Sequence, residues 1–549
     1  MTKSSRAGST RAPAPTAAPL PFALRASAAL SIGALLWTIV FFSHLPVVVD
    51  AAVKGVSSIL PWPFSNLSHW FGTGCQFVLD KARTYQAFTP ESLSGTTEDA
   101  WLPNVCRLDF AFWPSGFETP KAWVLAGAGM SAGIFAVIGG ALRFSFPPDK
   151  GGQGGLGRPK GGLETQNPLN PPCQGEGTTA PLSHAERWFL LGILATTLLA
   201  TIFADRPFSS FVGIPEKYHG LFFWWGVAGL WFSFRTAFTE ASRRKAARIA
   251  LVTLASTGVY ALAQWLRADP LAWDTRVEIT RVFSTMGNPN YYAGLLLPGA
   301  ALALWAFEKR WSKIIVCAAL VAILLMTKSL YGLALLAAWG VWEAVAWAKA
   351  SRRVGIPAVI AVAAVAAVSG GWLAQSYGIV RHAPWACQNG VASTPVPYRA
   401  CVGGDWQWVG DAEKWKGFLA RFYIWGTVLD SVTESPKTLL LGRGPDSLKT
   451  VFDRFRRPEL KGQYEDARYV ADRAHNWILD MWHSFGLVGL LTILVPATLV
   501  ARRLRGPQKT ALVLWATFFL FNIPVSANWA LAALVLAGAS GGCQNAKIA

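Results

Sequence analysis

Long apolar runs alternate along this chain with short polar breaks. A transmembrane helix needs about 20 apolar residues. Runs of that order lie at Ala26 to Val49, Trp123 to Leu142, Trp188 to Ala204, Tyr218 to Phe238, Ile249 to Leu266 and Tyr291 to Phe307. Others lie at Leu330 to Ala348, Val354 to Ala374 and Trp477 to Val500. Three shorter or polar-flanked runs, Ile314 to Met326, Thr510 to Val525 and Trp529 to Gly542, complete the set. The pattern predicts an all-α polytopic membrane protein. Residues 1–25, rich in Ala, Pro, Ser and Thr, are expected to be a disordered cytoplasmic tail. Residues 26–142 hold the first two spans and an insertion at 50–121. The Gly/Pro-rich residues 143–186 read as a flexible cytoplasmic linker. Residues 187–549 form the main membrane domain, with a large loop at 376–474.

Composition agrees with this division. Of 549 residues, 52% are hydrophobic and only 15% charged, against roughly a quarter charged in soluble domains. A net charge of +19 would fit a nucleic-acid binder if the cations shared one face, but they do not. The clusters RRKAAR (243–248), EKRWSK (308–313), KASRR (349–353) and ARRLRG (501–506) fall between alternate spans. About twelve spans, with both termini inside, put every cluster in the cytoplasm. The first apolar run is too long for the core of a cleaved signal peptide. The glycines of 143–186 form no phosphate-binding loop. No cytoplasmic segment is large enough for a nucleotide-hydrolysing domain, so an enzyme here would use a preactivated substrate at the outer face.

Two cysteine pairs fall in predicted outside loops: Cys75 with Cys106, and Cys387 with Cys401. An oxidising compartment would permit each pair as a disulfide. Outside loops should be poor in Arg, yet Arg206, Arg267, Arg276, Arg281, Arg421 and Arg443 all map there. A guanidinium holds phosphate oxygens through a planar fork of donors, so several at the membrane edge suit a lipid diphosphate. Neighbouring acids, Asp205, Asp269, Asp274 and Glu278, offer each Arg an ordinary partner instead. Arg421 is expected to open a helix, RFYIWGTVLDSV. His475 stands at the mouth of the Trp477 span, where a neutral imidazole can take a proton from a hydroxyl. Asp472 would orient it if that turn is helical. A metal shared by His475 and His483 is excluded, because eight helical residues span about 12 Å.

These residues bring a family into view. HNWILDMWHSFGLVG (475–489) has an H-N pair, nine residues and G-x-x-G. It resembles the pattern of the O-antigen ligase superfamily. RVFSTMGNPNYYAG, which contains Arg281 and Asn288, resembles that family's Arg-to-GNPN segment. RFYIWGTVLDSVTESPKTLLLGRGPDSL resembles its R-x-x-x-W…G-x-G-P stretch. In TKSLYG (327–332), Leu330 stands where relatives often carry Arg, and His483 lies near a place where they often carry an acid. The resemblance implies a GT-C-like glycosyltransferase of the bacterial inner membrane, its large loop periplasmic, with no metal or cofactor. Its donor would be an undecaprenyl-diphosphate-linked glycan. The acceptor hydroxyl would lie on lipid A core, a second glycan or a protein, which leaves ligase, polymerase and protein O-oligosaccharyltransferase open. His475 would be the general base, with Asn476 holding its turn. Arg206 and Arg281 would act in catalysis, and Arg276, Arg421, Arg443, Asn288 and Asn476 in binding substrate. A transporter of lipid-linked sugars is the more distant reading, and would place its charges at mid-membrane depth.

Overall fold

A computed structural model describes residues 22–40, 119–145, 181–214, 217–266, 268, 281–350, 400–402, 405–407, 412–457, 460 and 470–540. Apart from a short antiparallel hairpin, β1 (Ala400–Val402) with β2 (Asp405–Gln407), the regular structure among them is helical. Five of the described helices are long and apolar enough to cross a membrane. They are α1 (Phe22–Val40), α2 (Thr119–Ser145, apolar over Lys121–Ile138), α3 (His184–Ile202), α6 (Glu240–Trp265) and α13 (Trp477–Ala501). Short helices α4 (Pro207–Val212) and α5 (Leu221–Thr236) lie between α3 and α6. Three more, α7 (Pro289–Ala306), α8 (Arg310–Met326) and α9 (Leu330–Ala350), follow. Then come α10 (Ala412–Val432), α11 (Pro436–Leu441) and α12 (Leu448–Phe455), and after α13 the helices α14 (Gly506–Phe518) and α15 (Ser526–Ala537). This is the helical architecture of a polytopic membrane protein. The run Val354 to Ala374 lies outside the described residues, as do the 50–121 insertion and the 143–186 linker.

The helices pack by the means open to proteins in lipid, where apolar burial supplies little drive and small residues and buried hydroxyls take over. On α2 and α5 the small residues face each other, and a Cβ on Gly129 or Gly226 would collide with the opposite backbone. Ser27 on α1 donates to the Ala132 carbonyl on α2 at 2.8 Å and shares a 2.6 Å hydrogen bond with Ser233 on α5. In the last turn of α5, Arg235 meets Glu186 of α3 at 2.5 Å, and both are almost fully buried. The apolar core includes Phe223, Trp231 and Phe234 on α5 and Tyr292, Leu295 and Leu296 on α7.

Two runs are shorter as helices than their hydropathy suggested. The Tyr218 to Phe238 run becomes helical only at Leu221, because Tyr218 sits at φ +54° and the helix starts from Gly220. The Thr510 to Val525 run is helical only to Phe518. Its next residue, Phe519, gives its carbonyl to the Trp477 amide at 3.0 Å, so irregular backbone here is satisfied by α13.

Candidate functional site

The first residues of α13 carry orphan N–H groups that need acceptors. Asn476 supplies one: its Oδ1 accepts from Ile478 and Leu479 at 3.0 and 3.1 Å, as an N-cap. A polar residue at the mouth of an apolar helix therefore has a local reason. The turn before it is not helical, contrary to the expectation for Asp472. His475 has φ +54°, an uncommon conformation outside glycine. Two contacts fix this turn from its C-terminal side. The Ala474 amide donates to Asp480 Oδ1 at 2.6 Å, and Trp477 Nε1 to the Ala516 carbonyl at 3.1 Å.

Asp472 still acts on His475, through charge rather than through a helical turn. Desolvation, and then the cations Arg421 and Lys217, push the imidazole down to about 4 against the pull of Asp472. His475 is therefore neutral near pH 7, as a proton acceptor must be. Burial would raise the Asp472 carboxyl, but Lys217, Arg473 and His475 outweigh it and hold the group below its ordinary value. Lys217 Nζ lies 3.9 Å from Asp472 Oδ2. It also stands 5.2 Å from the centre of the Tyr291 ring at the start of α7.

The other motif residues meet at the same helix starts. Arg281 donates through Nη2 to Asn290 Oδ1 at 3.0 Å and through Nε to the Thr327 carbonyl at 3.1 Å. Ser329 donates to the same Asn290 oxygen at 2.9 Å, which joins the GNPN segment to TKSLYG. Asn288 caps α7 and accepts from the Asn290 amide at 2.8 Å. Arg421 lies within α10, nine residues past its start at Ala412 rather than at its opening. Its guanidinium stands over Tyr331 at 5.2 Å, and Tyr331 stacks on Phe521. Half-buried Leu330 precedes Tyr331.

Arg443 does not join this group. It is buried, with Nη1 2.6 Å from Asp205 Oδ2, its Nη2 on Glu434 and its Nε 2.8 Å from Ser431 Oγ. A fork so occupied has no free edge for phosphate. His483 is enclosed between the Ser431 and Ser447 hydroxyls at 3.3 and 3.4 Å. Arg206 is exposed at the start of α4. Arg267, Arg276, Cys75, Cys106 and Cys387 lie outside the described residues, and Cys401 is described only as part of β1. No cluster of three or more metal-ligating side chains occurs among the described residues.

The sequence reading missed Lys217, Asp446 and the role of Arg473. Lys217 carries the same signal as the Args, a cation in an outside loop, but lacks the forked donors that suggest phosphate recognition. Asp446 Oδ2 accepts from the Ile214 and His219 amides at 2.8 and 3.1 Å, and its Oδ1 lies 2.6 Å from Arg473 Nη2. A cavity bordered by His219, Arg473, Trp477, Asp480 and Ser484 holds only about 20 Å³, room for one water rather than a sugar.

Fold and site together define a helical membrane protein with a half-buried neutral histidine among cations at its helix starts. Residues 314–494 match the family model described as O-antigen ligase, which supports the resemblance to the O-antigen ligase superfamily. A comparison with curated proteins finds no match. The family is one of glycosyltransferase-like ligases and polymerases, and it implies lipid-linked glycan and acceptor substrates in a membrane. His475, Arg421 and Tyr331 lie inside the matched residues, whereas Lys217, Arg281 and Asn290 lie before them.

Proposed function

We propose that the protein is a metal-independent membrane glycosyltransferase that moves a glycan from undecaprenyl diphosphate to an acceptor hydroxyl at the periplasmic face. About twelve spans, with both termini in the cytoplasm of a bacterial inner membrane, carry the site. The loops at 50–121 and 376–474 lie in the periplasm. The acceptor hydroxyl, on lipid A core, a second glycan or a protein, attacks the anomeric carbon. The bond from that carbon to the diphosphate oxygen breaks, a new glycosidic bond forms, and His475 takes the hydroxyl proton. Arg281, Arg421 and Lys217, together with Arg206, stabilise the negative charge that grows on the departing undecaprenyl diphosphate.

The observation that carries this reading is His475 itself, neutral, held on a constrained turn and flanked by Lys217, Asp472 and Arg421. Lys217, Arg281 and His475 all precede helix starts instead of sitting at mid-helix depth, which favours an enzyme over a transporter. The test is transfer by purified full-length protein in lipid nanodiscs, from an undecaprenyl-diphosphate-linked glycan to lipid A core, in excess EDTA. Transfer undiminished by the chelator is expected. Loss of transfer on chelation, restored by a divalent cation, would overturn the metal-independent mechanism. No transfer to lipid A core, to a second lipid-linked glycan or to a protein acceptor would overturn the glycosyltransferase itself.

A further inference from the structure

Three separate stretches of chain meet beside His475, and each contains a strained residue. Tyr218, Asp446 and His475 have φ of +54°, +59° and +54°. They are three of the five described non-glycine residues with positive φ, the others being Ser284 and Lys328. Such conformations are uncommon outside glycine and persist where the surroundings over-determine them. One side chain is common to the three stretches. Asp446 Oδ2 takes the backbone amides of Ile214 and His219, on either side of Lys217, while Oδ1 faces Arg473, two residues before His475.

We propose that the buried Asp446–Arg473 pair is the positioning device of the site, tying the turn that carries Lys217 and the turn that carries His475 into one frame. Neither residue touches the reacting atoms. Asp446 sets where Lys217 stands relative to Asp472, and Arg473 sets where His475 stands. The two side chains are 0% and 8% exposed. A pair this deep is more convincing as a device for geometry than for stability, because desolvation offsets much of its attraction. Removing one member is costly, since it strands the other charge. The Ala474-to-Asp480 hydrogen bond closes the frame from the α13 side. His475 is faced by Arg421 from α10, by Lys217 from the opposite turn and by Asp472 from its own segment. Any slippage between the turns alters all three relations at once.

The inference rests on His475 being the base, and its test has a readout that does not. Asp446→Asn keeps the shape of the side chain and removes the charge facing Arg473. Hydrogen exchange by mass spectrometry on the full-length protein in nanodiscs should then show faster exchange in two peptides together. One spans Ile214 and His219, and the other spans 470–476, while α7 keeps its protection. Transfer should fall by about 10²-fold, the scale of a misplaced catalytic group. The acid limb of the pH–rate profile should rise toward 6.5, because a loosened His475 is better solvated. A merely structural pair would lower the active fraction and leave that limb in place. If Asp446→Asn does not accumulate, the Asp446→Asn/Arg473→Gln double variant removes both charges of the pair and is read by the same exchange measurement. Faster exchange at Ile214 and His219 alone, with 470–476 and the acid limb unchanged, would overturn the proposal. If His475→Ala retains transfer, the base assignment fails, and the paired exchange response still decides the frame.

Discussion

At the scale of single residues, the surroundings of each cation decide what it can hold, and Arg443 is engaged by Asp205, Glu434 and Ser431. His475 and Asn476 are legible from their motif, and Asn476 caps α13. Arg443 carried the same outside-arginine signal as Arg281, yet its partner Asp205 lies 238 residues away in sequence. Ile214 and Asp446 are 232 residues apart, so no local pattern reveals that bond. The environment of His475 makes a prediction of its own. A histidine whose folded pKa lies near 4 and whose unfolded value lies near 6.5 favours folding above 6.5. That contribution is lost as pH falls toward 4. In the proposed mechanism catalysis follows the same direction, since a general base must be neutral. Initial rates of transfer should hold from pH 7 to about 5 and reach half near 4. A midpoint at 6.5 would mean that the imidazole is not desolvated as described.

At the scale of elements, hydropathy located the helices well and their ends poorly. Ends are set by turns, and the turns here are set by distant groups. Tyr218 and Phe519 leave helical geometry because Asp446 and Trp477 engage the backbone beside them. Arg421 belongs to the middle of α10 because the helix continues N-terminally through a stretch too polar to have been read as part of it. The same turns make a glycine indispensable within α13. Gly486, the first glycine of G-x-x-G, has φ +67° and ψ 179°, a region essentially closed to other residues. A Cβ there would strike the backbone of Leu440 and Leu441 in α11. Gly486→Ala should destabilise the protein by at least about 1–3 kcal/mol, read as a lower thermal midpoint in detergent and reduced abundance in the membrane. An unchanged midpoint would mean that α11 does not press on α13 as closely as described. The glycine of this motif is thus explained by packing, whereas its histidine is not.

At the scale of the whole molecule, the matched family region supplies His475, Arg421 and the Tyr331 platform. The chain before it supplies Arg281, Asn290 and Lys217. The candidate site is therefore a joint product of both parts, held by bonds such as Arg281 to the Thr327 carbonyl. In the proposed mechanism substrate charge and base chemistry fall to different residues, and they should separate on mutation. The most direct test compares His475→Ala with the unaltered protein at equal membrane abundance, measuring donor binding and single-turnover transfer side by side. Binding of the undecaprenyl-diphosphate-linked donor should be retained, because the cations are untouched. Transfer should fall by about 10²–10⁴-fold, the usual contribution of a general base. Near-normal transfer by His475→Ala would contradict the account and leave the polar mouth of α13 as a capped helix end alone.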